Sequence, residues 1–175
     1  MPLKPPVSDK DHLQGNKNAT IELVEYGDYQ CPHCGRAYPI IKKLQKELGD
    51  KLKFVFRNFP LAEIHPQAVR AAIASEAAAL QGKYWEMHDI IFENQEWLSE
   101  DTFLQFAEEL GLNMHQFNND MAKKELLEKT EADFESGIRS GVNATPTFFI
   151  NGEKYVIGWE GDRILQFIKA HYPGI

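Results

Sequence analysis

The sequence predicts an α/β fold in which a mixed central sheet is flanked by helices and an all-helical insertion separates the second and third core strands. Three observations carry that reading. A β-rich run ending at Gly27-Asp28 passes straight into a helical pattern, residues 65–140 keep helical periodicity almost throughout, and an Asn-Gly dipeptide near the C-terminus separates two short apolar runs.

With 175 residues and 43% hydrophobic side chains the chain can bury a genuine core, as one domain with a sizeable insertion. Residues 1–15 hold four Pro or Gly and no apolar periodicity, which predicts a flexible arm. Thr20 to Tyr26 is β-rich and reads as the first strand. Ala37, Ile40, Ile41, Leu44 and Leu48 follow at three- and four-residue steps, predicting a helix from about Pro32 to Gly49 with a kink at Pro39. Leu52 to Phe56 alternates again, so residues 16–64 form a βαβ unit. The insertion, 65–140, reads as an alanine-rich helix Ala68–Leu80, an amphipathic one Tyr84–Phe92, a third over Thr102–Leu110 closed by Gly111, and a long charged helix Met121–Ile138. Residues 141–175 return to the sheet: Thr147–Ile150 and Lys154–Ile157 flank Asn151-Gly152 as a hairpin, and Asp162 caps a last helix through Ile168.

Charge and composition exclude several functions. The chain has 19 basic and 26 acidic side chains, net −7, so it lacks the positive field that nucleic-acid binding needs. Residues 65–140 contribute 6 basic and 15 acidic, net −9, and the remainder 13 and 11, net +2, so the acidity belongs to the insertion. No apolar run approaches the roughly 18 residues of a membrane span. The opening Met1-Pro2-Leu3-Lys4-Pro5-Pro6 has no apolar leader, so the chain as it stands reads as cytoplasmic; a removed leader would make it periplasmic or extracytoplasmic.

Cys31 and Cys34 are the only cysteines, and two placed at random would fall three apart about one time in ninety. The pair sits where a strand hands over to a helix. Pro32 suits the first helical position because its missing N–H would have no partner there, which puts Cys31 at the N-cap beside free backbone donors that favour thiolate. A zinc site would need two further ligands, with His65, His88 and His115 the only plausible ones, so neither metal nor cofactor is expected. His88 reads as a packed or capping histidine, His65-Pro66 as a helix start, Asp28 as turn chemistry, and Trp85, Trp97, Phe103 and Phe106 as insertion core.

Cys31-Pro32-His33-Cys34 after the first strand, Pro39 five residues on, Glu25 six before Cys31, the helical insertion, and Thr145-Pro146 opening the hairpin together resemble the thioredoxin fold, and more narrowly the DsbA family. From Asp11 to His171 the chain is similar to stand-alone and antiporter-fused DsbA-like domains. The resemblance implies a protein thiol–disulfide oxidoreductase acting on protein or peptide thiols and disulfides with a redox-recycling partner. It implies that Pro146 is a cis-proline beside the pair, with Thr145, where founding members carry Val, facing the disulfide and offering a substrate-pairing edge. Cys31 is then the exposed nucleophile, Cys34 the resolving thiol, His33 a donor to the thiolate, and Glu25 a buried proton acceptor beneath the pair. A different class of reading is a redox-sensing or protein-binding module switched by the same cysteines without turnover.

Overall fold

The computed structural model describes residues 1–175. Its strands are β1 (His12–Gly15), β2 (Ile21–Gly27), β3 (Leu52–Asn58), β4 (Thr147–Ile150) and β5 (Glu153–Tyr155), and its helices α1 (Pro32–Leu48), α2 (Ala68–Ala79), α3 (Tyr84–Glu93), α4 (Glu100–Glu109), α5 (Met114–Met121), α6 (Lys124–Arg139) and α7 (Arg163–His171). The sheet order is β1-β3-β2-β4-β5, with β2 parallel to β3 and antiparallel to β4. This is the thioredoxin fold, with α2 to α6 between β3 and β4. β2 is the central strand, so both of its faces are covered.

Alternation along β2 divides the core. Leu23 faces the larger cluster, with Phe54, Phe56, Phe148 and Ile150 from neighbouring strands, Ala37, Ile41 and Leu44 from α1, and Ile164 and Ile168 from α7. Val24 and Tyr26 face the smaller cluster, with Val55, Phe149, Phe59, Leu3 and Val142, and Phe134 of α6 packs against it. Burying each such large side chain contributes about 1.5–3 kcal/mol, so the register is fixed: a one-residue slip would exchange both sets. At the hairpin tip Asn151 and Gly152 both have positive φ, 48° and 81°, as a two-residue turn matching the strand twist requires.

Several expectations are corrected. Residues 1–15 are anchored: His12–Gly15 pairs antiparallel with β3, Leu3 is buried, and Arg57 donates to the carbonyls of Pro5 and Pro6 and to the Asp11 carboxylate. A buried arginine on β3 supplied what periodicity did not show. The long charged helix begins at Lys124 rather than Met121 and runs unbroken to Arg139, and a separate helix, α5, precedes it, started by Asn113, whose side chain accepts from the Gln116 N–H. The last strand ends at Tyr155, leaving Val156 and Ile157 exposed. Asp162 makes no capping bond; its carboxylate takes Lys43 instead, at 2.8 Å. Trp97 is 71% exposed rather than in the core. No helix is long and apolar enough to cross a membrane.

Candidate active site

Cys31 is the N-cap of α1, in extended conformation (φ −69°, ψ 122°), and Pro32 opens the helix. Its backbone is held on both sides: its N–H donates to the Asp28 carbonyl, and its carbonyl accepts from Gly35 N–H as the first helical bond. The thiol donates to the Thr145 carbonyl at 3.6 Å. As thiolate, Cys31 is favoured first by a hydrogen bond from Cys34, then by the Thr145 hydroxyl and the backbone N–H groups of Cys34 and His33. Together these outweigh burial and bring its pKa down to about 5. The Thr145 hydroxyl is buried and otherwise without a partner, so it is free to serve the ionised sulfur.

Cys34, one turn into α1, is fully buried and free. Burial pushes its pKa well above the ordinary thiol value, and its bond to Cys31 and the nearby Glu25 charge push the same way; the Asp28 N–H, 3.4 Å from its sulfur, opposes them. Glu25 lies on β2 with Phe56 and Phe148 as its cross-strand neighbours, and its Oε1 has no hydrogen-bond partner. Burial, with the Cys31 charge adding, raises its pKa to about 8. Two thiols and a carboxyl are thus gathered where one thiol ionises readily and the other two groups hold their protons. The Thr145–Pro146 peptide bond is cis, and it enters β4 directly beside the Cys31 sulfur.

Two of the expected features stand differently. Cys31 is only 4% exposed, because Thr145 and the N-terminal turn of α1 enclose it. The His33 imidazole accepts at Nδ1 from Arg36, at 2.6 Å, so its own helix partner holds the ring and only its backbone N–H is directed at the sulfur.

Sequence reading missed two residues. Asp28, read as turn chemistry, is buried and ties its own turn to the loop after β3: its carboxylate accepts from Gln30 N–H, Leu61 N–H and His65 Nδ1, at 2.8, 2.9 and 2.7 Å. Its spacing from His65 held no signal, since the contact closes a loop over 37 residues. Gln95, in the short turn before α4, donates through Nε2 to the carbonyls of Tyr29 and Cys31, both at 2.8 Å. A side chain on Gly35 would collide with Gln95 Oε1, so glycine there admits the insertion to the redox turn. No group of three or more His, Cys, Asp or Glu side chains converges as a metal site; His88 instead meets the Tyr29 hydroxyl at 3.0 Å and is held neutral by burial.

Residues 7–170 match the family model described as Thioredoxin. A Na(+)/H(+) antiporter NhaA 1 of Mycolicibacterium vanbaalenii is 39% identical over 170 residues; the match covers 96% of this chain and 28% of that protein. The chain therefore spans little more than a quarter of the length of that curated relative. Among solved structures, a thioredoxin-like oxidoreductase from Silicibacter pomeroyi is 27% identical with a TM-score of 0.78, covering 91% of this chain and 90% of that one. A substituted form of alpha-DsbA1 from Wolbachia pipientis is 25% identical with a TM-score of 0.78, covering 95% and 91%. With this fold, and with a free cysteine pair at the head of its first helix, the chain belongs to the thioredoxin family and resembles DsbA-type proteins within that fold.

Proposed function

We propose that the enzyme exchanges disulfides with protein substrates through Cys31 and Cys34, with Cys31 the only sulfur a substrate reaches. The observation that carries this is the asymmetry of the pair: Cys31 sits at a helix N-terminus against Thr145, and Cys34 is enclosed above an unpaired carboxyl. In the oxidising direction a substrate thiolate attacks Cys31 Sγ of the intramolecular disulfide. The Cys31–Cys34 bond breaks, and Cys34 leaves as a thiolate that takes the Glu25 proton. A second substrate thiolate then attacks the substrate sulfur of the mixed disulfide and Cys31 leaves as the stable thiolate. The substrate loses two electrons and the enzyme pair gains them; a recycling partner reverses the exchange. Reduction of a substrate follows the same steps backwards, with Glu25 taking the Cys34 proton. Thr145 and Pro146 offer the backbone edge on which a substrate strand pairs. Pro32 opens the helix whose N–H groups serve the leaving thiolate, and the contribution of His33 runs through its backbone.

The lowered Cys31 pKa favours the reduced protein. That stabilisation is complete above the unfolded thiol pKa, near 9, and is lost as pH falls through about 5. At pH 7 it amounts to about 3 kcal/mol, or about 60 mV in the potential of the pair. The reduced form therefore resists denaturant better than the disulfide form.

The test is trapping with turnover. Cys34→Ser accumulates mixed disulfides through Cys31, Cys31→Ser abolishes exchange, and the native protein turns over many equivalents of a disulfide peptide, unlike a sensor that changes state once. Mass mapping that finds Cys34 alkylated before Cys31, or turnover surviving in Cys31→Ser, overturns the assignment.

A further inference from the structure

A groove of about 760 Å³ lies between the Pro60–Ile64 loop and α6, within the roughly 300–1,000 Å³ of ordinary ligand pockets. Leu61, Val69 and Phe134 line it, and Ile64 and Leu127 stand at its lip, 68% and 37% exposed. An isoleucine two-thirds in water beside an apolar cleft marks a surface that gains by being covered. Glu63, Glu131 and Glu135 line the same groove and are exposed. The neighbouring cations are engaged: Lys129 with Asp133 at 2.7 Å and Arg70 with Glu100, while Arg139 reaches Glu135 from 3.7 Å. The groove is thus apolar within and negative around, and no lysine or arginine lines it.

One wall of this groove is built on the lead-in to the redox pair. The Leu61 N–H and His65 Nδ1 both bind the Asp28 carboxylate, and the Asp28 N–H donates to Cys34 Sγ. We propose that the groove docks an apolar peptide segment flanked by lysine or arginine, carried by the protein whose disulfide Cys31 exchanges. The inference rests on the exchange reading above and adds the substrate class to it. A docked segment turns the attack on Cys31 into a local encounter, which raises the effective concentration of the substrate sulfur without any new contact at the sulfurs. The carboxylates attract the basic flanks and the lip residues take the apolar side chains, so the effect falls in KM and weakens with salt.

The experiment compares three synthetic peptides, each with one cysteine in mixed disulfide with glutathione, that differ only in a distal segment: Lys-Leu-Ile-Lys, Glu-Leu-Ile-Glu or Ser-Gly-Ser-Gly. The reduced enzyme is expected to favour the lysine-flanked peptide at least tenfold in kcat/KM, through KM, with the preference fading at high salt. Ile64→Asp removes the preference while reduction of the small disulfide dithiodipyridine is unchanged, and Glu131→Lys moves it toward the glutamate-flanked peptide. Fluorescence anisotropy of a labelled Lys-Leu-Ile-Lys peptide reads docking apart from chemistry. If dithiodipyridine is not reduced but the labelled peptide binds and Ile64→Asp releases it, the exchange reading fails and the docking site stands. If dithiodipyridine is reduced but the three peptides react alike, or the preference survives Ile64→Asp, the docking proposal is overturned. Sedimentation showing a dimer that Ile64→Asp dissociates assigns the groove to a second copy and overturns it equally.

Discussion

Glu25 and Tyr26 are adjacent on the central strand and point to opposite faces of one sheet, where buried polar groups are treated in opposite ways. Glu25 has phenylalanines on both neighbouring strands, Phe56 and Phe148, and an oxygen with no partner. Tyr26 sits beside Arg57 in register, and its hydroxyl accepts from that guanidinium at 2.9 Å and meets the Ser136 hydroxyl at 2.7 Å. Arg57 in turn binds both Asp11 oxygens, at 2.7 and 3.0 Å, and two proline carbonyls. On the Tyr26 side the buried Arg57 is neutralised by Asp11, which pins the N-terminal segment. On the Glu25 side no ion pair reaches the carboxyl, and the groups that accept or lose protons are steered by burial, hydrogen bonds and one another's charge. Redox thiols need that second arrangement, because a fixed counter-charge would hold Glu25 permanently ionised.

The two sides also respond to pH in opposite senses. Asp11 is pulled below the ordinary carboxylate range by Arg57 and the Ser8 N–H, against burial that pushes it up. Its contribution is present above the unfolded pKa and is lost as pH falls through the folded one. Glu25 is raised to about 8, so the protein is unpenalised below the unfolded value near 4.5 and loses stability as pH rises toward 8.

The largest expected effect breaks the paired side. Arg57→Met leaves the Asp11 carboxylate buried without its cation and should destabilise by about 3–5 kcal/mol in urea titration, with early proteolysis near residues 5–11. A loss below 1 kcal/mol would mean that the segment is held by Leu3 and β1 and not by the charge cluster.

Next comes the unpaired side. In the disulfide form, Glu25→Gln should stabilise the protein by about 2–4 kcal/mol at pH 8 and by almost nothing at pH 4, since each pH unit above the unfolded carboxyl pKa costs about 1.4 kcal/mol in the native protein. The same variant should slow exchange at the step where Cys34 gains or loses its proton. A variant less stable at pH 8 than the native protein would show that Glu25 has a counter-charge after all.

A smaller change tests whether hydrogen bonds alone position Cys31. Gln95→Ala frees the carbonyls of Tyr29 and Cys31 and should raise the Cys31 pKa by about half to one unit, equivalent to about 1 kcal/mol, read from the pH profile of alkylation. Gly35→Ala, which displaces Gln95, should do the same, and the double variant should add little. Fully additive effects would separate the two positions. Smallest of all should be His33→Ala: with the imidazole turned to Arg36, the Cys31 pKa should move by less than about 0.3 units, since the backbone donors stay in place. A rise of a full unit would put a cationic side chain into the redox side and end the contrast.

Local pattern carried much of the fold. The β-rich run at 20–26, the alternation at 52–56, the three- and four-residue steps of α1, and Asn151-Gly152 each act within one element, so the chain order of the core strands and most helices was readable before any contact was known. So was Cys31 as an N-cap, because Pro32 fixes where the helix begins. Glu25 was legible as a strand residue, and the resemblance supplied its place beneath the pair. The anchoring of residues 1–15 was not legible, because Arg57 lies over forty residues from Asp11 and looks like any strand arginine. Neither was α5, whose eight residues are too few for a helical period to stand out.

By itself the sequence determined most of the elements and their order, β1 and α5 excepted, and the placing of Cys31 and Cys34 at a helix start, because these depend on φ and ψ preferences and on periodicities a few residues long. Only the tertiary structure decided how the charges are settled. Glu25 lacks a partner because β3 and β4 bring phenylalanines to it, Tyr26 has one because β3 brings Arg57, and the redox turn is gripped from the insertion because Gly35 leaves room for Gln95. Desolvation and pairing are properties of the assembled neighbourhood, set by residues 31 to 123 positions away in the chain, and no local pattern encodes them.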